Sequence, residues 1–233
     1  MKRVYYDVEQ FKGSYFDFGH FQVEKLKSTP LYQVHKSRRR KSLRRYTIVK
    51  KDVRRLFLEY ASGVWEELHG LVEGLQWPFD DVIHEYSGFQ QDWVKSGCSV
   101  MTGNGFFARN YDYHPKTYEG RLLIFQPNDG VATIGPGQRI IGRTDGMNEH
   151  GHCVGYNFVN RVKPEDGLIC CTLTRIVLEA AKNVEEAVEL LKSLPHRHSF
   201  NYVLFDATGK TRIVEASSRG VRIKIRGGVY QSF

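Results

Sequence analysis

The chain has 233 residues, enough to bury a sizeable core as one large domain or as a domain with an appendage. Its 41% hydrophobic and 26% charged content is ordinary for a soluble globular protein, and the net charge of +8 leaves acidic partners open. No window approaches the ~20 apolar residues of a membrane-spanning helix, and Met1-Lys2-Arg3-Val4-Tyr5-Tyr6-Asp7 leads into no apolar signal core, so the cytoplasm is the expected compartment and no membrane contact is expected.

After a short extended start, the first 97 residues carry helical patterning. Ser14 is an N-cap candidate for a helix running to about Leu26. Residues 35 to 55 hold eleven Lys or Arg against one acid, Asp52, with Leu43, Tyr46, Val49, Val53, Leu56, Leu58 and Tyr60 interleaved. That pattern predicts an amphipathic helix with a solvated basic face. An electrostatic partner such as a phosphorylated acyl donor is a second reading of it. Nucleic acid is a third that no accompanying motif supports. Two further helices are predicted near Val64 to Gln76 and Phe79 to Tyr86, separated by Trp77-Pro78.

Beyond residue 97 the period changes. Gly97-Cys98-Ser99-Val100-Met101-Thr102-Gly103-Asn104-Gly105-Phe106-Phe107-Ala108-Arg109-Asn110-Tyr111-Asp112 predicts a β-hairpin with its turn over Thr102 to Gly105. Two registers are open. With Gly103-Asn104 at the centre Cys98 faces Arg109; with Asn104-Gly105 at the centre Cys98 faces Tyr111 and Arg109 faces Val100. In both, Arg109 shares a sheet face with Cys98, which predicts a nucleophilic thiol of low pKa. Asp112 falls on the other face unless the strand ends or bulges near Asn110 or Tyr111.

Strands are also predicted at 121 to 126, 138 to 143 and 152 to 158, with turns at Pro127-Asn128-Asp129-Gly130 and Gly135-Pro136-Gly137. Helices follow at Leu168 to Ala181 and Val184 to Leu194, the second opened by Asn183 with Glu186 three residues on. A meander over 200 to 206, 211 to 217 and 221 to 226 completes an α+β pattern with helices on one face of a mostly antiparallel sheet. Cys98, Cys153, Cys170 and Cys171 have no metal-ligand spacing and suit thiols in a reducing compartment. His150-Gly151-His152 puts two imidazoles on one strand face, but neither they nor His114 gain a paired carboxylate, so no metal and no cofactor are expected. Asn148 and Glu149 suit turn and register roles.

Gly97-Cys98-Ser99, Ala108-Arg109-Asn110-Tyr111-Asp112, Asp145-Gly146-Met147-Asn148-Glu149-His150-Gly151 and Gly155-Tyr156-Asn157-Phe158 together resemble the N-terminal-nucleophile linear-amide hydrolases. The branch is that of the autoproteolytic acyl-coenzyme A:6-aminopenicillanic acid acyltransferases, related to choloylglycine hydrolases and penicillin V acylases. The resemblance, from about Phe11 to Arg226, implies a four-layer αββα sandwich. It also implies a division into a helical prosegment, 1–97, and a catalytic part, 98–233. Cys98 would attack the carbonyl of Gly97, and the resulting α-amine, of pKa ~7.7 to 8.0, would then serve as the base for its own thiol. Arg109 and Asp112 would flank the nucleophile and Asn157 would donate to the oxyanion.

The implied substrate is a small acyl amide or acyl thioester, and the implied partners are the two fragments of one chain, with a homo-oligomer as a further expectation. The chain ends at Gly228-Val229-Tyr230-Gln231-Ser232-Phe233, before the second asparagine that the resemblance implies, so the sandwich is expected to be C-terminally incomplete and its last strand to be an open edge. The competing reading is a scaffold or binding protein with a basic face.

Overall fold

The computed structural model describes residues 6–42, 47–93, 97–112, 118–159, 163–225 and 230–232. Extended β1 (Asp7–Gly13) leads into α1 (Tyr15–Lys27), whose cap is the predicted one: Ser14 Oγ accepts from the Asp17 amide at 3.0 Å. The basic run does not form one helix. It forms α2 (Leu31–Ser42) and α3 (Lys50–Tyr60), and its members at 43–46 lie outside the described residues.

Part of that charge is neutralised within the chain. α4 (Ser62–Leu75) is followed by α5 (Phe79–Tyr86), and α5 supplies the acids. Arg38 pairs with Glu85, Arg39 pairs with Asp81 and lies 4.4 Å above the Trp77 ring, and Lys50 meets Asp80 at 2.9 Å. The periodicity of residues 35 to 55 was therefore a helix–helix interface as well as a solvated face.

The remaining elements are β2 (Gly97–Gly103), β3 (Phe106–Asp112), β4 (Arg121–Pro127), β5 (Thr133–Gln138), β6 (Gly142–Arg143), β7 (Asp145–Asn148), β8 (Cys153–Phe158), α6 (Cys170–Ala180), α7 (Val184–Ser193), β9 (Phe200–Phe205), β10 (Thr211–Ser217), β11 (Gly220–Ile225) and β12 (Tyr230–Ser232). The large sheet runs β1-β4-β5-β7-β8-β9-β10-β11, with β6 paired to β5; a small sheet runs β12-β2-β3. All pairs are antiparallel except β1 with β4, which places a strand from the first 97 residues at the edge of the main sheet.

Alternation along the strands builds apolar packing on both faces of the large sheet. Val154, Tyr156, Tyr202, Leu204, Val214 and Ala216 pack with the helices, while Val203 and Ile213 on the other face pack with Val100 and Phe107 of the small sheet. Helices, large sheet and small sheet form the αββ part of the expected sandwich, in the α+β class. Asn183 caps α7 as predicted, its Oδ1 accepting from the Glu186 amide at 3.0 Å.

Two expectations are corrected. Residues 138 to 143 are not one strand, because Gly135-Pro136-Gly137 lies inside β5 instead of turning. Pro136 lacks an N–H, but Leu122 still faces it in the ladder and its carbonyl accepts from Thr144 at 3.1 Å. His150 and His152 share no strand face, since they lie in the turn between β7 and β8, His150 exposed and His152 buried. The last strand, β12, pairs with β2 on one side and forms the outer edge of the small sheet, as expected. No three-residue metal cluster and no helix long and apolar enough to cross a membrane occur among the described residues, and His114 lies outside them. Asn148 is structural: its Nδ2 donates to Leu178 O at 3.0 Å and Ala181 O at 2.7 Å, and its Oδ1 accepts from His150 and His152.

Burial gives His152 a pH signature. Loss of solvent pushes its imidazole down to about 4, against a partial upward pull from Asp206. Below ~6.5 the unfolded chain takes up a proton that the folded His152 refuses until about 4. Stability therefore falls with pH across that window, by about 3 kcal/mol for this group, and buried His35, His196 and His198 act in the same direction. Urea unfolding midpoints at pH 7, 5.5 and 4 should decline steadily, and less steeply for His152→Gln. Equal midpoints would refute the assignment.

Candidate active site around Cys98

Gly103 faces Phe106, so Asn104 and Gly105 are the central residues of the hairpin, and Gly105 takes the left-handed conformation at φ +79°. Cys98 consequently faces Tyr111 and Val100 faces Arg109, the second of the two predicted registers. Cys98, Val100, Thr102, Phe107, Arg109 and Tyr111 point toward the large sheet. Gly97, Ser99, Asn110 and Asp112 point away from it.

The thiol sits against β8. Strand β7 begins at Asp145, opposite Gly155, so β8 has no ladder partner on that side at Tyr156 to Phe158. Cys98 Sγ fills this gap, donating to Tyr156 O at 3.5 Å, with the Phe158 N–H also directed at the sulfur.

Arg109 lies over Gly155, where a Cβ would stand 3.0 Å from its Nη1 and crowd the guanidinium. It donates to Thr144 O at 3.0 Å, pairs with Asp145 at 3.3 Å, and lies 4.7 and 4.9 Å from the Tyr111 and Tyr156 ring centres. Asp145 also accepts from Thr144 Oγ1 at 2.5 Å. The carboxylate partner of Arg109 is thus Asp145, from a different strand.

The low thiol pKa does not materialise in the uncut chain. Burial pushes Cys98 up, the Arg109 guanidinium and the Phe158 amide pull it down without overturning that, and Asp112 and Asp145 push it up again. Sharing a face with an arginine was legible in the sequence, but the desolvation accompanying it was not.

Asp112 is on the outer face, as parity requires, because β3 continues without a bulge to its pairing with Gly97. Its carboxylate accepts from Asn110 Nδ2 at 3.2 Å and lies 3.2 Å from where a Cβ on Gly97 would stand. It therefore borders the Gly97–Cys98 segment without reaching the thiol. Asn157 is buried, lies opposite Asn201, and follows the residue whose carbonyl receives the thiol. Cys98 and Arg109 come together, with Asn157 next along β8 from the residue that receives the thiol; Asp112 approaches from the backbone side. Asp145, Thr144 and Tyr156 complete the cluster; the sequence signal for Asp145 and Tyr156 was their place in the Asp-Gly-Met-Asn and Gly-Tyr-Asn-Phe motifs, whereas Thr144, just before the first, carried none.

Two cavities adjoin the cluster. A polar one of about 210 Å³ is lined by Arg109, Tyr111, Thr144 and Asp145 with Tyr6 and Tyr118. An apolar trough of about 480 Å³ is lined by Phe107, Leu122, Ile134, Met147, Cys153 and Phe205, and Asp145 and Pro136 border both.

Residues 100–230 match the family described as acyl-coenzyme A:6-aminopenicillanic acid acyl-transferase. The match covers Arg109, Asp112 and Asn157 and begins two residues past Cys98. No curated protein matches the chain. Solved structures similar to it include penicillin V acylase from Agrobacterium tumefaciens, 19% identical over 57% of this chain and 43% of that one, with a TM-score of 0.36. They also include a variant of the conjugated bile acid hydrolase from Clostridium perfringens, 19% identical over 60% of this chain and 46% of that one, with a TM-score of 0.36. The chain spans less than half the length of these structures. Because the family match takes in more than half of the 233 residues, this chain belongs to the acyl-coenzyme A:6-aminopenicillanic acid acyl-transferase family, within the N-terminal-nucleophile hydrolases.

Proposed function

We propose that the protein is a self-cleaving cysteine amidohydrolase or acyltransferase for linear, non-peptide amides, with 1–97 as a prosegment that stays bound and 98–233 as the catalytic part. The observation that carries this reading is Cys98 directly after Gly97, its thiol in the β8 gap at Tyr156 O within reach of the Arg109 guanidinium.

In self-cleavage the Cys98 sulfur bonds to the Gly97 carbonyl carbon as the peptide C–N bond breaks, and the departing nitrogen takes a proton to become the α-amine of Cys98. Water then hydrolyses the thioester, leaving a Gly97 carboxylate and a free thiol. The new amine would supply the base that the uncut site lacks, and its orientation is assigned to Asp112, whose carboxylate borders Gly97. In turnover the same sulfur bonds to the acyl carbon of a substrate amide as its C–N bond breaks and the amine leaves protonated, and water or an acceptor amine then takes the acyl group and frees the thiol, with Asn157 steadying the oxyanion. The apolar trough suits the acyl chain, and the polar cavity between Arg109 and Asp145 suits the amine side.

Intact-mass measurement tests processing directly: the 27.0 kDa chain should convert into fragments 1–97 and 98–233 that elute together. The cleaved form should then release amine from phenoxyacetyl or fatty-acyl amides. A folded chain that stays whole on prolonged incubation would refute the reading and favour the scaffold alternative.

A further inference from the structure

We propose that Arg139 and Arg197 are positioning residues for self-cleavage, clamping the segment just upstream of the Gly97–Cys98 bond; this rests on the self-cleavage reading above. The segment over Gln90 to Trp93 belongs to no helix or strand, yet nearly every polar group it offers is held. Arg139 donates through Nη1 to Gln91 Oε1 and through Nη2 to Asp92 O at 2.7 Å, and its guanidinium lies 5.5 Å from the Trp93 ring centre. Arg197 donates through Nε to Gln91 O at 2.9 Å, through Nη1 to Gln90 Oε1 at 2.7 Å, and reaches Asp92 Oδ1 at 3.4 Å. His198 Nε2 lies 3.2 Å from the same Gln91 carbonyl.

The backbone is bent to make this possible. Four non-glycine residues among those described have positive φ, and three belong to this cluster: Gln90 at +60°, Arg139 at +55° and Ile140 at +68°. A β-branched residue in that region is a genuine outlier, and strain of this kind gathers where geometry serves function. Neighbours enforce it. The Ile140 amide donates to Glu119 Oε1 at 2.9 Å, the Ile141 amide to Arg139 O at 3.0 Å, and the Gln90 amide to Gly167 O at 2.9 Å. The tight turn at 139–140, which interrupts the strand expected over 138 to 143, is what aims Arg139 at Gln91 and Asp92.

The clamp and the nucleophile converge on one residue. Trp93 packs edge-on against Tyr156 at 5.8 Å, and Tyr156 O receives the Cys98 thiol. On the other side, Gly97 is pinned by its pairing with Asp112. The scissile bond lies four residues past Trp93, each spanning at most ~3.6 Å, so anchoring both ends limits the arrangements in which sulfur can face the Gly97 carbonyl. Reactions of this kind gain from such orientation, and displacement by about 1 Å can cost about 10²-fold in rate.

The test is the rate of self-cleavage, followed by intact mass from synthesis in a cell-free system, for wild type, Arg139→Gln, Arg139→Lys, Arg197→Gln and the double glutamine variant. Each rate is taken at the same interval below that variant's own Tm. Val188→Ala, which removes core volume on α7, serves as a destabilised control. The double variant should cleave about 10²-fold more slowly and the control at the wild-type rate. Arg139→Lys, which keeps the charge over Trp93 but loses the two-pronged donor, should fall between wild type and Arg139→Gln. Cleavage of Arg139→Gln and Arg139→Lys at the wild-type rate overturns the clamp and leaves self-cleavage standing. A wild type that never cleaves overturns the self-cleavage reading and the clamp with it.

Discussion

Replacing Cys98 with alanine should abolish both conversion of the 27.0 kDa chain and any release of amine from acyl amides. The sulfur occupies a gap in the β8 ladder, and no second nucleophile among the described residues shares it: Cys153 lies three residues back, with its thiol pushed up to about 11 by burial. Loss of a nucleophile that acts as a unit with its base typically costs about 10⁶ in turnover. The same variant should retain the wild-type Tm within a few degrees, because the sulfur's long bond to Tyr156 O and its weak acceptance of the Phe158 N–H contribute little to stability. Cys98→Ser separates the chemistry further. It keeps the geometry but carries a hydroxyl of much higher pKa, and should cleave slowly if at all. Mass spectrometry and differential scanning calorimetry on the same samples distinguish lost chemistry from lost folding. Turnover by folded Cys98→Ala near the wild-type rate would remove the thioester mechanism.

Replacing Glu67 with alanine should destabilise the protein by about 3–5 kcal/mol, the usual result of leaving one member of a buried ion pair without its partner. Glu67 on α4 meets Arg175 on α6 at 2.8 Å with both side chains fully buried, and Gln22 on α1 donates to the second carboxylate oxygen at 2.5 Å. Arg175 also pairs with Glu179 and donates to Ile141 O at 3.0 Å. Burial works against the charged guanidinium, yet the Glu179 and Glu67 carboxylates outweigh it and keep Arg175 protonated.

The pair crosses the proposed boundary at residue 97, so it should hold the fragments together after cleavage, as should β1 in the main sheet. Combining Glu67→Gln with Arg175→Met should recover most of the loss, because replacing both members of such a pair is often neutral. Urea unfolding measures both effects. A Glu67→Ala variant with the wild-type midpoint would show that water reaches the pair, and fragments separating at neutral pH without denaturant would contradict the predicted association.

What could be determined along the chain was local. The Ser14 and Asn183 caps, the span of α5 and the hairpin at Asn104-Gly105 depend on residues three or four apart, whose geometry is settled by short-range hydrogen bonds and turn sterics. Strand parity alone placed Cys98 and Arg109 on one face and Asp112 on the other. The motifs sufficed to identify the family.

Tertiary structure decided whatever depends on groups distant in sequence. Cys98 bonds to a carbonyl 58 residues away and Glu67 to a guanidinium 108 residues away, and no periodicity carries such pairings. It assigned Asp145, not Asp112, to Arg109, and it turned the basic run into two helices partly neutralised by α5. It also reversed the expected direction of the thiol pKa. The attraction of a nearby guanidinium follows from strand alternation, whereas desolvation depends on every surface that closes over the sulfur, and those surfaces exist only once the two sheets have packed.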